Sequence, residues 1–411
     1  MINCGSKLYF VSNLGRPSAT TQQFAVAPSE RSQILIYVLE WYCVCRMFSI
    51  LYLGLLLLSV SGAAQQEAAK EECLAAGDSS FLPPKPIPRA RLHNGVQMPT
   101  LSLGMAHFTF GSPLMESNRT YIGFYPERTY RQAELALQQG IRSFDTALMY
   151  GTQPHLGHVL GEWWRAGQLQ SREDVFITTK VFHAPAPGFG LEANHQVHLE
   201  TMSPEDVTLQ TTRHIEQCLK ELGVGYIDLL LMHWPSVAGQ SEEISRQRRL
   251  AAWKVFEEFY QRGWLRAIGV SNFSEKHLEQ LREDGASIQP MVNQIEASPY
   301  LQHTNIVKYC QKHSIVVQAY SPLGSGLMDV KDDKLLLELA AKYQKDVGQL
   351  VFRYLIQKGY VIAYKTSNAG RMESNQDVFD NFELSKEDVA KIDALNRVNG
   401  SFGLPSPYDL P

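Results

Sequence analysis

The sequence predicts an α/β protein, a (β/α)8 TIM barrel with an N-terminal β-hairpin, and three observations lead there. Seven short apolar runs and an eighth, weaker one recur at intervals filled by helical patterns, the order expected of parallel strands covered by helices. Eight is the number of strands that closes such a sheet on itself. No Gly-x-Gly-x-x-Gly opens a helix after the first strand, so a doubly wound dinucleotide fold has no support.

The elements follow in chain order. "RLHNGVQMPTLSLGM" sets Asn94-Gly95 between two strand-like runs, the strongest local hairpin signal. In "ERTYRQAELALQQG" the residues Tyr130, Ala133 and Leu137 share a helical face and Gly140 is placed to end the helix; "SFDTA" (143–147) then reads as a short buried strand. "SPEDVTLQTTRHIEQCLKELG" begins with Ser203 as N-cap and Pro204 at the first helical position, and its apolar stripe runs Val207, Ile215, Cys218, Leu222. The other strands are "VFITTKV" (175–181), "IDLLLMHW" (227–234), "LRAIGVSN" (265–272), "MVNQIEA" (291–297), "IVVQAYS" (315–321) and "VIAYKTS" (361–367), with "DVFDNFEL" (377–384) as the weaker eighth.

Composition narrows the function. The 411 residues are 44% apolar, enough for a large core, and 38 basic against 42 acidic residues give a net charge of −4, without the basic footprint that binding a phosphate backbone demands. Nucleic acid is not an expected partner. Six cysteines are scattered without CxxC pairs, so neither a disulfide framework nor a zinc site is indicated. His155 with His158, and His195 with His198, lack further ligands nearby, and no metal is expected.

The amino-terminal residues differ from the rest. Residues 1–46 read as a disordered or mis-assigned extension, and "MFSILYLGLLLLSVSGAA" (47–64) as a signal peptide or signal anchor with cleavage after Ala64. Residues 65–88 are charged, then proline-rich, as a linker is; residues 89–411 form the barrel domain. A working signal implies the secretory pathway, endoplasmic reticulum or extracellular space, with membrane contact only through 47–64 if uncleaved. A cytoplasmic location is the alternative. Asn118, Asn272 and Asn399 begin glycosylation sequons that matter only on the secretory route.

A barrel places its chemistry at the carboxyl ends of its strands. Those ends are polar here: Asp145, Lys180, His233, Ser271 with Asn272, Gln294, and Tyr320 with Ser321. Each alone has a bland reading as a cap, a surface lysine or a core histidine. Together, an aspartate, a lysine and a histidine at the same end of three successive buried strands are costly unless paired, and they read as a site.

The ordered segments "SFDTALMYG", "ITTKV", "LMHWP", "RAIGVSNFS", "VNQIEASPY", "AYSPLGSG" and "YKTSNAGRMESN" resemble those of the aldo-keto reductases over roughly residues 90–400. The resemblance implies a barrel binding NADPH without a Rossmann domain, and a catalytic tetrad of Asp145, Tyr150, Lys180 and His233. It further implies that Ser271, Asn272 and Gln294 hold the nicotinamide carboxamide, that Tyr320 stacks on the nicotinamide, and that Ser321 and Leu323 lie along the pyrophosphate. Lys365, Thr366 and Arg371 would face the adenosine 2′-phosphate, Asn375 the adenine, and Met105, Phe182 and Trp234 the substrate. The expected partner is a small carbonyl compound, and the expected assembly a monomer.

The chemistry accounts for the residue types. Reducing a carbonyl takes a hydride on carbon and a proton on oxygen; the cofactor supplies the first and an acid the second. A phenol with an ordinary pKa of about 10 is helped by a lysine ammonium that stabilises its phenolate, and an aspartate keeps that ammonium charged. His233 would orient the carbonyl oxygen, and Gly151 would release the chain from the strand end so that Tyr150 faces inward. A second class, an accessory or sensing subunit with the same barrel, has less support because the tetrad is intact. Departures from the family pattern include Ala363-Tyr364 before Lys365, Ser298 and Ser374, Met105-Ala106 and Phe182, and two insertions lie at residues 109–127 and 183–202. The first three bear on cofactor affinity, Met105-Ala106 and Phe182 on the width of the substrate pocket, and the insertions fall where this fold varies its substrates.

Overall fold

The computed structural model describes residues 85–107, 126–182, 202–236, 240–326, 329–379, 382–397 and 406–411. The extension, the signal-like segment, nearly all of the linker and all but the last residues of both insertions lie outside the described residues, as do Asn118 and Asn399.

Two strands, β1 (Arg89–Arg91) and β2 (Gln97–Pro99), form the expected antiparallel hairpin. Gly95 takes the turn at φ +92, a conformation open to glycine, and Asn94 Oδ1 accepts from the Val96 N–H.

The barrel strands are β3 (Leu101–Gly104), β4 (Ser143–Asp145), β5 (Phe176–Val181), β6 (Leu229–Met232), β7 (Ile268–Ser271), β8 (Val292–Glu296), β9 (Val316–Tyr320) and β10 (Val361–Tyr364). They pair in parallel in the order β10-β3-β4-β5-β6-β7-β8-β9 and close. Around them run α1 (Pro126–Gln138), α2 (Gln153–Arg165), α3 (Pro204–Leu222), α4 (Glu242–Gln261), α5 (Glu275–Glu283), α6 (Thr304–Lys312), α7 (Lys334–Tyr343), α8 (Val347–Gln357), α9 (Ala369–Gln376) and α10 (Lys386–Asp393). This is the (β/α)8 barrel that the sequence predicts.

One strand assignment is corrected. The eighth barrel strand is Leu101–Gly104, which closes the sheet between β10 and β4 through pairs such as Ile362 with Leu101 and Leu103 with Phe144. The 377–384 run instead contains a 3-10 turn, Asp377–Phe379. Val378, Phe382 and Leu384 are buried there. Alternation over so short a run marks a face that needs covering, and that need does not select a strand.

Local chemistry sets the helix ends. Ser203 accepts from the Asp206 N–H while the Asp206 side chain returns to the Ser203 backbone, and Pro204 occupies the first helical position of α3. Val207, Ile215, Cys218 and Leu222 are wholly buried on its inner face, where each Ile or Leu side chain contributes about 1.5–3 kcal/mol by leaving water. Gly269 in β7 has no room for a side chain: a Cβ would stand 2.6 Å from Val292 O and 2.8 Å from a Leu231 methyl. Tight strand packing there fixes the register that carries Ser271 to the strand end.

Candidate active site

The carboxyl ends of the strands surround one cavity of about 520 Å³. Asp145 is the last residue of β4. Beyond it the chain makes a single 3-10 turn, Leu148–Tyr150, ended by Gly151 at φ +64, and the turn brings Tyr150 to the cavity wall. β5 delivers Lys180 behind that wall. His233, one residue past β6, reaches it from the next strand.

Lys180 Nζ donates to Asp145 Oδ1 at 2.5 Å and to Thr146 O at 2.9 Å, and it lies 5.2 Å from the centroid of the Tyr150 ring. The pair is almost wholly buried, with side chains 1% and 6% exposed. Asp145 Oδ2 is also held, accepting from Gln294 Nε2 at 2.7 Å, and the same nitrogen donates to Gln318 Oε1 at 2.7 Å. A hydrogen-bonded chain therefore crosses the barrel from β9 through β8 and β4 to β5.

The electrostatics separate the candidate acids. Burial works to lower the Lys180 pKa, but Asp145 and Tyr150 outweigh it and hold the ammonium above its ordinary value. Burial raises the Tyr150 phenol above its ordinary value while Lys180 pulls it down; burial wins, and the phenol is protonated near neutrality. His233 is pushed well below its ordinary value, first by burial and then by Lys180. It is a neutral imidazole, set edge-on to Tyr150 with ring centroids 5.8 Å apart. A neutral imidazole can donate a hydrogen bond but holds no surplus proton, which leaves the Tyr150 phenol as the candidate acid at the cavity wall.

The opposite wall is polar and strained. Asn272 Nδ2 donates to His233 O at 3.0 Å, Tyr320 Oη donates to Asn272 Oδ1 at 2.8 Å, and Ser271 Oγ donates to Gln294 O at 2.8 Å. Asn272, Ser321 and Ser325 all have positive φ, at 62°, 51° and 52°, and all three line the cavity. Non-glycine residues in that region cost on the order of 1–3 kcal/mol each and persist where the surroundings over-determine them. Asn272 is buried and its amide committed, so its sequon is closed in the folded chain.

An apolar cluster flanks Tyr150: Ala147, Met149, Phe182, Trp234 and Leu410. Phe182 stacks on His233 at 4.6 Å and 28°, fixing the imidazole plane. Trp234, Ser271, Asn272, Gln294, Tyr320, Ser321, Leu323 and Lys365 all line the cavity. Thr366, Arg371 and Asn375 do not. Thr366 is buried beneath α1, its carbonyl accepting from Gln132. Arg371 sits exposed in the first turn of α9, and Asn375 is buried on the same helix.

Met105 needs correcting. It is fully buried in the main core, whereas Gly104 and Ala106 line the cavity. Its N–H bonds Asp145 O at 2.8 Å, so the backbone stays extended and successive side chains take opposite sides. Sequence reasoning also missed Gln318, Met149 and Leu410. Gln318 carried a signal, as a polar residue in the middle of the apolar run "IVVQAYS"; Leu410 carried none.

A family model described as the Aldo/keto reductase family matches residues 101–397. The chain belongs to the aldo-keto reductase family. Among proteins similar to this aldo-keto reductase, the glyoxal reductase of Bacillus subtilis is 35% identical over 308 residues, covering 75% of this chain and 92% of the relative. An NADPH-dependent codeinone reductase of Papaver somniferum is 32% identical over 336 residues, 78% of this chain and 94% of the relative. A Bombyx mori aldo-keto reductase solved in complex with NADP superposes with a TM-score of 0.59 at 30% identity, covering 76% of this chain and 93% of that one.

Proposed function

We propose that this aldo-keto reductase reduces aldehydes or ketones to alcohols with NADPH, Tyr150 supplying the proton. The observation that carries the reading is the pairing at the cavity wall of a protonated, lysine-backed phenol with a neutral imidazole. The donor set suits a nicotinamide dinucleotide. Among the described residues no donor reaches Gln294 Oε1, which leaves it as an acceptor for a carboxamide beside the Ser271 hydroxyl. The Tyr320 ring supplies a flat apolar surface, and Lys365, exposed at the cavity edge and without a carboxylate partner among the described residues, offers its charge to an anion.

The bound cofactor supplies a hydride to the carbonyl carbon. His233 donates a hydrogen bond that turns the carbonyl oxygen toward Tyr150. Tyr150 gives its proton to that oxygen, and Lys180, kept charged by Asp145, stabilises the phenolate left behind. Met149, Phe182 and Trp234 offer an apolar surface to the rest of the substrate and exclude water from the reacting atoms. A panel of aldehydes and ketones with NADPH, followed at the nicotinamide absorbance band, tests the reading; no oxidation of NADPH with any of them would reject it.

Two expectations follow from particular residues. Because His233 is held far below the ordinary imidazole value of about 6.5, kcat at saturating cofactor should show no acid limb in that range. A limb there that vanishes in His233→Gln would give the histidine a proton-transfer role. Arg371 and Lys365 are the cations proposed to face the 2′-phosphate, so Arg371→Ala should weaken NADPH binding about tenfold or more and NADH binding hardly at all. Equal losses for both dinucleotides would remove Arg371 from that role.

A further inference from the structure

Inside the barrel, beneath the cavity, a glutamine stands where packing alone calls for an apolar residue. β8 and β9 pair with Gln294 opposite Gln318, and both side chains point inward, since Gln294 and Tyr320, two residues beyond Gln318, line the cavity. Gln318 itself is wholly buried and lies deeper, short of the cavity wall. Its Oε1 accepts from Gln294 Nε2 at 2.7 Å, and its own Nε2 is buried with no hydrogen-bond partner among the described residues. A half-satisfied amide in a core costs free energy that a leucine would not. Departures of that kind gather where a site needs them.

We infer that Gln318 is a positioning residue for the nicotinamide end of the dinucleotide, acting through Gln294. The inference rests on the proposal that Gln294 Oε1 receives the carboxamide of NADP(H), and it adds what decides the direction of that amide. The two ends of a glutamine amide are nearly alike in shape, so hydrogen-bond partners choose which way it points. Gln294 Nε2 carries two hydrogens and each has an acceptor, Asp145 Oδ2 at 2.7 Å and Gln318 Oε1 at 2.7 Å. Turned over, the amide would set its oxygen against a carboxylate on one side and an amide oxygen on the other. Held as it is, Oε1 is the end left for the cavity.

The two acceptors act from different places. Asp145 lines the cavity and is itself bound by Lys180, so it holds Gln294 at the cavity wall. Gln318 holds the same nitrogen from beneath. With leucine at 318, one Nε2 hydrogen loses its acceptor inside the barrel, and the amide is free to turn that nitrogen toward the cavity. A donor then stands where a carboxamide N–H needs an acceptor. An acceptor fixed behind the amide also polarises it, which strengthens Oε1 as an acceptor in turn.

The test is calorimetric titration of the full chain with NADP+ and with 2′-phospho-ADP-ribose, the same molecule without its nicotinamide. The proteins are the parent, Gln318→Leu, Gln318→Glu, Gln294→Ala, and Gln294→Ala combined with Gln318→Leu. Gln318→Leu should weaken NADP+ binding about five- to tenfold and leave 2′-phospho-ADP-ribose within about twofold, which also shows the barrel intact. Should that variant not fold, Gln318→Met, unbranched like glutamine, is read in its place. Glutamate offers an acceptor oxygen in either protonation state, so Gln318→Glu should stay within about threefold of the parent. In the Gln294→Ala background the leucine should add less than about twofold, because a residue acting through another has nothing left to act on. If Gln318→Leu matches the parent for NADP+ while Gln294→Ala loses affinity, the positioning role alone is overturned. Equal losses for both ligands, or a loss that persists without Gln294, overturn it too and make Gln318 a packing residue. A Gln294→Ala that keeps the parent's affinity overturns the carboxamide reading and the inference with it. A parent that binds neither ligand overturns the NADPH reading as well.

Discussion

Tyr150→Phe is expected to lower kcat by about 10²–10⁴-fold, the contribution of a positioned proton donor, while NADPH binds as before. The substitution removes one hydroxyl at the cavity wall. The ring keeps its packing against Ala147, Met149, Phe182 and Trp234, so neither the barrel nor the wall of Ser271, Asn272 and Gln294 is disturbed. His233 cannot substitute, because burial and Lys180 hold it neutral. The loss should fall on turnover and leave KM nearly unchanged, since the proton moves while charge develops on the carbonyl oxygen. Steady-state kinetics with a good aldehyde, beside a cofactor titration, check it. Turnover within a few-fold of the parent would leave Tyr150 an incidental tyrosine at a strand end.

Lys180→Met should damage both activity and stability. Turnover should fall by about the same 10²–10⁴-fold, because the phenolate loses its counter-charge. Stability should fall by about 3–5 kcal/mol, the usual result of breaking a buried pair by removing one partner. Asp145 would then remain 5% exposed with only the Gln294 amide to satisfy it. The double variant Lys180→Met with Asp145→Asn removes the stranded charge and should recover most of the stability and none of the turnover. Denaturant melts of the single and double variants measure the first effect, kcat the second. If the double variant is no more stable than the single, the stranded carboxylate is not the source of the cost.

Much of this was legible because two scales of pattern coincide in a barrel. Interior strands read as apolar runs, and polar residues mark where they end, Asp145, Lys180, His233 and Ser271 at or beside the last strand position and Gln294 in the middle of β8 facing the cavity. What escaped had no such contrast. "LSLG" follows the hairpin directly, so β2 and β3 run together in the sequence although they belong to different sheets. Inside the barrel Ser102 is satisfied by Ser143 Oγ at 2.6 Å, a partner 41 residues away that no local pattern announces. Met105 was misplaced by position, since one residue decides which side of an extended chain faces the cavity. Leu410 joins the apolar cluster beside Tyr150, and His277 Nε2 lies 3.0 Å from its carbonyl oxygen, a contact between distant segments.

The hydrogen bond from Gln294 to Asp145 joins residues 149 positions apart, and it has a consequence for how the molecule comes into being. The four residues proposed for proton transfer all lie between 145 and 233, and they are synthesised first. The wall that would receive the dinucleotide arrives only with β7 to β10, and the ring shuts only when β10 pairs with β3. Contacts of such long sequence separation form late, after the loops between them have closed. A ribosome-bound chain halted before β8 therefore carries all four residues proposed for proton transfer and lacks the wall proposed for the nucleotide. Competence arrives in one step with ring closure, and no half of the chain owns a share of it.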